Sequence, residues 1–234
     1  MKGFISQKAQ IEGCVEPSAV ILGETVVGSN TFIDRDVIIG YPVEDTLRIL
    51  RLSRSFNVKG LDDHSRGAKI GRECIIRSGT VIYETATLGD KVRTGHNVLV
   101  REGTTVREET LIGTSVKLDG AVKIGRRVKI QSNAYLPHLT VIEDDVFIAP
   151  NVCFTNDPYP QSGRLVGSVV EKNAVICANA TLLPGVRIGQ NAVVAAGSVV
   201  TKNVAPSQVV AGNPARFLMS REEFDRKRQV WEKG

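Results

Sequence analysis

The sequence predicts an all-β protein, a parallel β-helix, and three observations carry that prediction. First, an apolar residue returns every sixth position. Counting from Ile70 through Ile76, Ile82 and Leu88 to Ile148 and Phe154, fourteen of fifteen positions are large and apolar, and Thr94 is the exception. Second, the residue four places after each of the first fourteen is small or β-branched, as at Cys74, Thr80, Val98 and Val152. Third, aromatics make up only 5% of the chain while glycines number 22. That balance suits a thin, repetitive core.

The geometry follows from the spacing. Offsets of four and six are even, so on extended chain both sets face one side. On a helix a step of six would spiral off any single face. Glycine often follows the apolar residue, at Gly71, Gly89, Gly113, Gly125 and Gly189, where a tight corner would call for positive φ. Short strands joined by corners cannot bury a face alone, but stacked coils can.

Taken in order, weaker repeats begin at Leu22, Val27, Ile33 and Ile39. Residues 41–69 interrupt them with the apolar-basic stretch TLRILRLSRSF. The regular ladder runs from Ile70 to Phe154, a loop of 157–168 (DPYPQSGRLVGS) breaks it, and it resumes at Val170, Ile176, Leu182, Ile188, Val194 and Val200. The expected division is a β-helical body over 1–210 and a C-terminal turn and charged helix over 211–234. In that helix Phe217, Leu218, Phe224 and Trp231 would pack on the last coil. At three hexads per coil, which the resemblance given below implies, the chain holds about nine coils, a prism about 40 Å tall at the spacing of adjacent strands.

Composition excludes several classes. The net charge of +5 is modest and no basic stripe alternates with aromatics, so nucleic acid is not expected as a partner. No apolar run of membrane length and no secretory leader pattern is present, so a cytoplasmic location with no membrane partner is expected. Cys14, Cys74, Cys153 and Cys177 show no zinc-finger spacing and read as reduced buried thiols.

A period of 18 stacks distant residues in columns. One column holds Asn97, Ser115, Asn133 and Asn151; the next corner's column holds Glu84, Glu102, Gly120, His138 and Asn156; a third holds His96, Thr114 and Ser132. Asparagine tolerates left-handed corners, which is a sufficient structural reason for Asn97 and Asn151. His138 stands in the stretch SNAYLPHLTVIEDD. His96 lies two residues from Thr94, the break in the ladder, and such breaks tend to mark sites. His64, in LDDHSRG, reads as solvated surface.

These repeats resemble the hexapeptide-repeat acyltransferase superfamily, and the resemblance covers most of the chain. It implies a left-handed coil and a homotrimer with active sites between neighbouring prisms. NAYLPHLTVIEDD is similar to the active-site coil of UDP-N-acetylglucosamine acyltransferases and of UDP-4-amino-sugar acetyltransferases, where a histidine in the position of His138 is the general base. Those enzymes usually follow it with an acid, whereas here Leu139 follows. IQSNAYLP and APNVCFTNDPYPQSG resemble the N-acetyltransferases of UDP- or dTDP-3-amino sugars, in which the residue matched by Asn133 contacts the amine. CANATLLPGVRIGQNAVVAAGSVVTKNV and AGNPAR resemble the CoA-binding end shared by the superfamily.

The expected reaction is transfer of acetyl from acetyl-CoA to the amino group of a nucleotide-linked amino sugar. His138 would serve as base, with His96 as rival, and Asn133 would hold the amine. Asn97, Asn156 and Asp157 would contact the sugar, Tyr159 would stack on it, and Arg101 and Arg164 would meet the diphosphate. Ala178 and Ala196 would leave room for the pantetheine arm, and Lys202 and Arg216 would meet the CoA phosphates. No metal is expected. The rival readings are a γ-class carbonic-anhydrase-like metalloprotein, an O-acetyltransferase acting on a hydroxyl, and a binding module that kept the coils without the chemistry. The metalloprotein would need histidines where Asn97 and Asn133 stand.

Overall fold

The computed structural model describes residues 3–234. Among them, short strands stack into three parallel sheets that form the faces of a prism. Face I has ten strands, face II nine and face III eleven. The chain visits the faces in turn, I, II, III, and rises one rung per circuit. Register shows the 18-residue period directly, with Leu99 opposite Lys117 and Leu111 opposite Lys129. Ten strands on face I make ten coils, one more than the repeat count predicts. The chain folds as a parallel β-helix, and the left hand implied by the resemblance is consistent with this arrangement.

Every ladder position from Ile70 to Phe154 is buried, Thr94 included, and so is every position of the second set. Most strands are two residues long. The second set therefore lies in the corner just before each strand, not on the strand itself. It still points inward because the chain turns there. Thr94 is buried without penalty, because its hydroxyl accepts from the Arg77 N–H at 2.9 Å.

Three sequence expectations need correction. The early ladder runs through Ile21, Val27, Ile33 and Ile39, with Ile21 opposite Ile5 and Ile39. Leu22 is buried too, but outside the main core, at the corner beneath the 41–69 insertion. The glycines after the ladder residues, such as Gly71 and Gly125, do not have positive φ. They are glycine because the next coil passes too close. A Cβ at Gly71 would lie 2.6 Å from the Asp90 nitrogen, and one at Gly125 would lie 2.6 Å from the Asp144 nitrogen. The left-handed position falls two residues later, as at Glu73 (φ 56) and Arg127 (φ 53).

The insertion holds two helices, α1 (Glu44–Leu52) and α2 (Val58–His64). Asn57 caps α2 by accepting from the Gly60 N–H at 2.9 Å. Leu50 of α1 is buried, and Asp62 of α2 accepts from the Gly23 N–H at 2.7 Å, which docks the pair on the coil. At the other end the tail differs from the expected turn and helix. Gln208–Ala211 and Arg216–Ser220 form an antiparallel hairpin, and α3 (Arg221–Lys233) follows. Ser220 caps α3 through the Glu223 N–H. Phe217 and Leu218 therefore lie on a strand, and they and Trp231 are exposed instead of packed; only Phe224 is half-buried. No helix among the described residues is long and apolar enough to cross a membrane.

Candidate functional site

Two edges of face I concentrate the polar columns. The I/II edge carries Glu84, Glu102, Gly120, His138 and Asn156, and after the loop it continues to Lys202. Both interruptions leave the prism at this same edge. The 41–69 insertion joins the face I strand Ile38–Tyr41 to the face II strand Lys69–Ile70. The 157–168 loop joins Cys153–Phe154 of face I to Val169–Val170 of face II. Glu84 lies at the foot of this stretch and Asn156 at its head, four rungs or about 19 Å apart. The two interruptions thus bracket this edge, the helical insertion at its foot and the loop at its head, with His138 between them.

The foot is held by Glu84, whose side chain is 1% exposed. Its carboxylate accepts from the Val43 N–H at 3.0 Å and the Arg66 N–H at 2.9 Å. One buried acid thus ties both ends of the insertion to the coil. An aromatic and charged row lies one residue earlier in each coil. Tyr41 and Tyr83 meet edge to face at 5.2 Å, and the Arg101 guanidinium lies 5.6 Å from the Tyr83 ring. Arg101 donates to Glu102 at 2.8 Å and to Asp119 at 3.1 Å, and the Tyr135 hydroxyl donates to Asp119 at 2.8 Å. Burial, then the Asp119 carboxylate, pushes the Tyr135 hydroxyl up to about 12. Arg101 is flanked by two carboxylates, so it is not the free cation that a diphosphate needs. That expected role is withdrawn.

His138 is half-buried and follows the strand Tyr135–Pro137. Asn156 sits one rung above. Its side-chain amide donates to the His138 carbonyl at 3.4 Å, and its own carbonyl accepts from the Val166 N–H at 2.7 Å. It closes the neck of the loop. Asp157 accepts from the Ser162 hydroxyl at 2.6 Å and from the Ser162 and Tyr159 N–H groups. The Ser162 hydrogen bond chiefly holds the Asp157 carboxyl below its ordinary range. With its oxygens turned to its own loop, Asp157 shapes that loop and does not extend a free carboxylate to a sugar, so its expected contact is corrected to positioning. Tyr159 (81% exposed) and Arg164 project from the same loop.

Most of the remaining expected groups stand on the opposite, III/I edge. Asn97, Asn133 and Asn151 sit at φ 55, 62 and 59, the left-handed corner that favours asparagine. The Asn97 amide folds over Gly79 one rung below. His96 is exposed, with Nδ1 2.8 Å from the Ser78 hydroxyl. Asn133 and His138 belong to one coil but flank face I from opposite sides, about 17 Å of extended chain apart. A single chain therefore does not bring Asn133 or His96 to His138. Ala178 and Ala196 stack on this III/I edge, where the Gly197 N–H bonds the Ala178 carbonyl. Lys202 and Arg216 line one cleft at the upper end, with Phe217 and Gln208.

Three of the four thiols fit poorly as nucleophiles, because burial pushes Cys74, Cys153 and Cys177 up. Cys74 is buried, but Cys153 and Cys177 are half-buried and Cys14 is exposed, contrary to the expectation that all four are buried. Among the described residues no three His, Cys, Asp or Glu side chains converge as a metal site.

The sequence columns already contained Glu84, Glu102 and Gly120, but composition gave them no role. Tyr83 and Asp119 share the 18-residue spacing with Arg101 and could have been found by it. Tyr41 could not, because the insertion breaks the count between it and Tyr83.

The fold is a β-helix built on a six-residue repeat, and comparison with known proteins finds the following likenesses. Residues 167–202 match the bacterial transferase hexapeptide (six repeats) family. A putative serine acetyltransferase of Schizosaccharomyces pombe is 46% identical over 76 residues, covering 32% of this chain and 27% of that protein. A 2,3,4,5-tetrahydropyridine-2,6-dicarboxylate N-acetyltransferase of Staphylococcus aureus is 43% identical over 63 residues, 26% of each. This chain thus matches about a quarter of the length of either relative. A solved UDP-N-acetylglucosamine O-acyltransferase from Moraxella catarrhalis shares the fold, with a TM-score of 0.57 at 18% identity, covering 97% of this chain and 76% of that one.

Proposed function

We propose that the protein is an acyltransferase that moves acetyl from acetyl-CoA to the amino group of a nucleotide-linked amino sugar. The observation that carries this reading is the position of His138. It stands half-buried on the edge where both interruptions leave the prism, between the two. The likeness of the upper coils to acetyltransferases supports CoA as donor. The tyrosines of this edge and Tyr159 offer flat apolar faces to sugar and base rings.

In the reaction the acceptor nitrogen attacks the thioester carbonyl carbon. The imidazole of His138 takes the proton that the nitrogen sheds. A main-chain N–H stabilises the tetrahedral oxyanion. Collapse breaks the carbon–sulfur bond, and the departing CoA thiolate takes the proton back from the imidazolium. Arg164 is the loop cation available to the diphosphate. Ala178 and Ala196 line a groove for the pantetheine arm, and Lys202 and Arg216 serve the CoA phosphates. Because Asn133, Ala178 and Ala196 lie on the III/I edge and His138 on the I/II edge, a complete site requires edges from two copies. A homotrimer, with Asn133 or His96 of a neighbouring copy facing His138, satisfies that requirement.

Two measurements test the reading. Acetyl-CoA with one member of a panel of UDP- and dTDP-amino sugars should raise the melting temperature. His138→Ala should then lower the acetylation rate at least about a hundredfold. A loss below tenfold removes His138 as base. Stabilisation by zinc with no response to acetyl-CoA overturns the transferase reading altogether.

A further inference from the structure

His138 follows no acid in sequence, and Leu139, beside it, is exposed. Its Nδ1 faces inward along the column. The residue one rung below is Gly120, at φ 91, and it is buried. A Cβ placed on Gly120 would lie 3.3 Å from His138 Nδ1 and 3.8 Å from Glu102 Oε1. Any side chain at Gly120 would fill the gap between the imidazole and the carboxylate two rungs down. With glycine there, the space between the imidazole and the carboxylate is left clear of any side chain, as a bridging water would require. Arg101 grips Glu102 through both carboxylate oxygens, at 2.8 and 3.1 Å, which fixes the carboxylate in place. Asp119 also binds Arg101, through its other face, and Tyr135 donates to Asp119. Of these carboxylates Glu102 is the one with an oxygen beside the space over Gly120 that His138 Nδ1 also borders.

We propose that Glu102, acting through a water seated on Gly120, is the positioning acid of His138. It holds the ring with the proton on Nδ1 and leaves the Nε2 lone pair free for the acceptor amine. The acid that normally orients such a base is thus supplied from two coils below, not from the next residue. Gly120 is the residue that makes this possible. The inference rests on the reading of His138 as base, but its test does not depend on activity alone.

The experiment is nitrogen-15 NMR of the imidazoles in the intact protein, which has only three histidines to assign. Wild type, Glu102→Gln, Asp119→Asn and Gly120→Ala are compared near pH 8, and acetyl transfer is measured in parallel. The wild-type His138 should carry its proton on Nδ1. Glu102→Gln should relax it to a mixture of tautomers and lower kcat about tenfold with little change in acceptor KM. Asp119→Asn disturbs Arg101 without touching the gap and should keep the wild-type tautomer. Gly120→Ala should resemble Glu102→Gln if it folds; should it not fold, the other two variants decide. An unchanged tautomer in Glu102→Gln overturns the inference whatever His138→Ala shows. A changed tautomer with an inert His138→Ala overturns the catalytic reading of the contact.

Discussion

Asn151 shows how single residues make the corners. It holds φ at 59 on an exposed turn, where an ordinary side chain is strained and asparagine or glycine is not. Asn151→Ala should cost about 1 kcal/mol in urea unfolding, and Asn151→Gly should cost much less. Equal losses would show that the side chain, not the backbone angle, is what matters. Thr104 is the reverse case. Its hydroxyl is buried with no hydrogen-bond partner, whereas the equivalent Thr140 donates to the Pro137 carbonyl at 2.7 Å. Thr104→Val should therefore be neutral or stabilising, while Thr140→Val should cost about 1 kcal/mol. Matched melting curves of the two variants check the contrast. Tyr135 carries a pH signature. Its hydroxyl is raised to about 12, so between the ordinary tyrosine value of 10.0 and 12 the unfolded chain has lost a proton that the folded chain keeps. Stability falls across that window as pH rises. Tyr135→Phe should remove the latest phase of the ultraviolet tyrosine titration and flatten the alkaline loss of stability.

At the scale of elements, the insertion depends on one carboxylate. Glu84→Ala leaves the N–H groups of Val43 and Arg66 without their acceptor at the neck of α1 and α2. A loss of about 3 kcal/mol is expected from two orphaned donors. Limited proteolysis should cut first within 41–69; cleavage elsewhere would count against the clamp. The ladder from Ile70 to Phe154 was legible because burial alone sets its period of six. The first coils were misread by one residue at Leu22, because the corner under α2 also buries an aliphatic side chain and so imitates the ladder. The strand Arg216–Ser220 escaped notice because its apolar residues, Phe217 and Leu218, are exposed and lack an inward pattern. The helices of the insertion were hidden by their length, nine and seven residues. In the candidate site, columns were readable from arithmetic. Which edge a column occupies was not, because that depends on where each strand begins within its hexad. That Asn133 and His138 flank face I from opposite sides was for that reason not legible.

For the whole molecule, ion pairs stitch successive coils on the outside. Arg72 reaches Asp90 at 2.7 Å and Arg127 reaches Asp145 at 2.7 Å, each across 18 residues. The arginine hydrogen bonds hold both carboxyls below their ordinary range. Their contribution is present above the ordinary carboxylate value and is lost as pH falls through the lowered one. These pairs are largely exposed, so each is worth little. The melting temperature should still drop more steeply below pH 4 in wild type than in a double variant, Asp90→Asn with Asp145→Asn. Parallel curves would show that the stitches carry no weight. The shared exit point of the two interruptions has a further consequence, for how such a chain can change its length. Adding one residue within a coil turns every later ladder residue out of the core, so the body changes length only by steps that keep the inward face, as in the 16-residue circuits from Ile5 to Ile21 and from Val194 to Val210. The I/II edge is free of that rule: ten extra residues in the 157–168 loop leave Cys153 directly beneath Thr181, in phase. Length variation is therefore tolerated along the His138 edge, and the site proposed there can be reshaped by insertion without rewriting the prism.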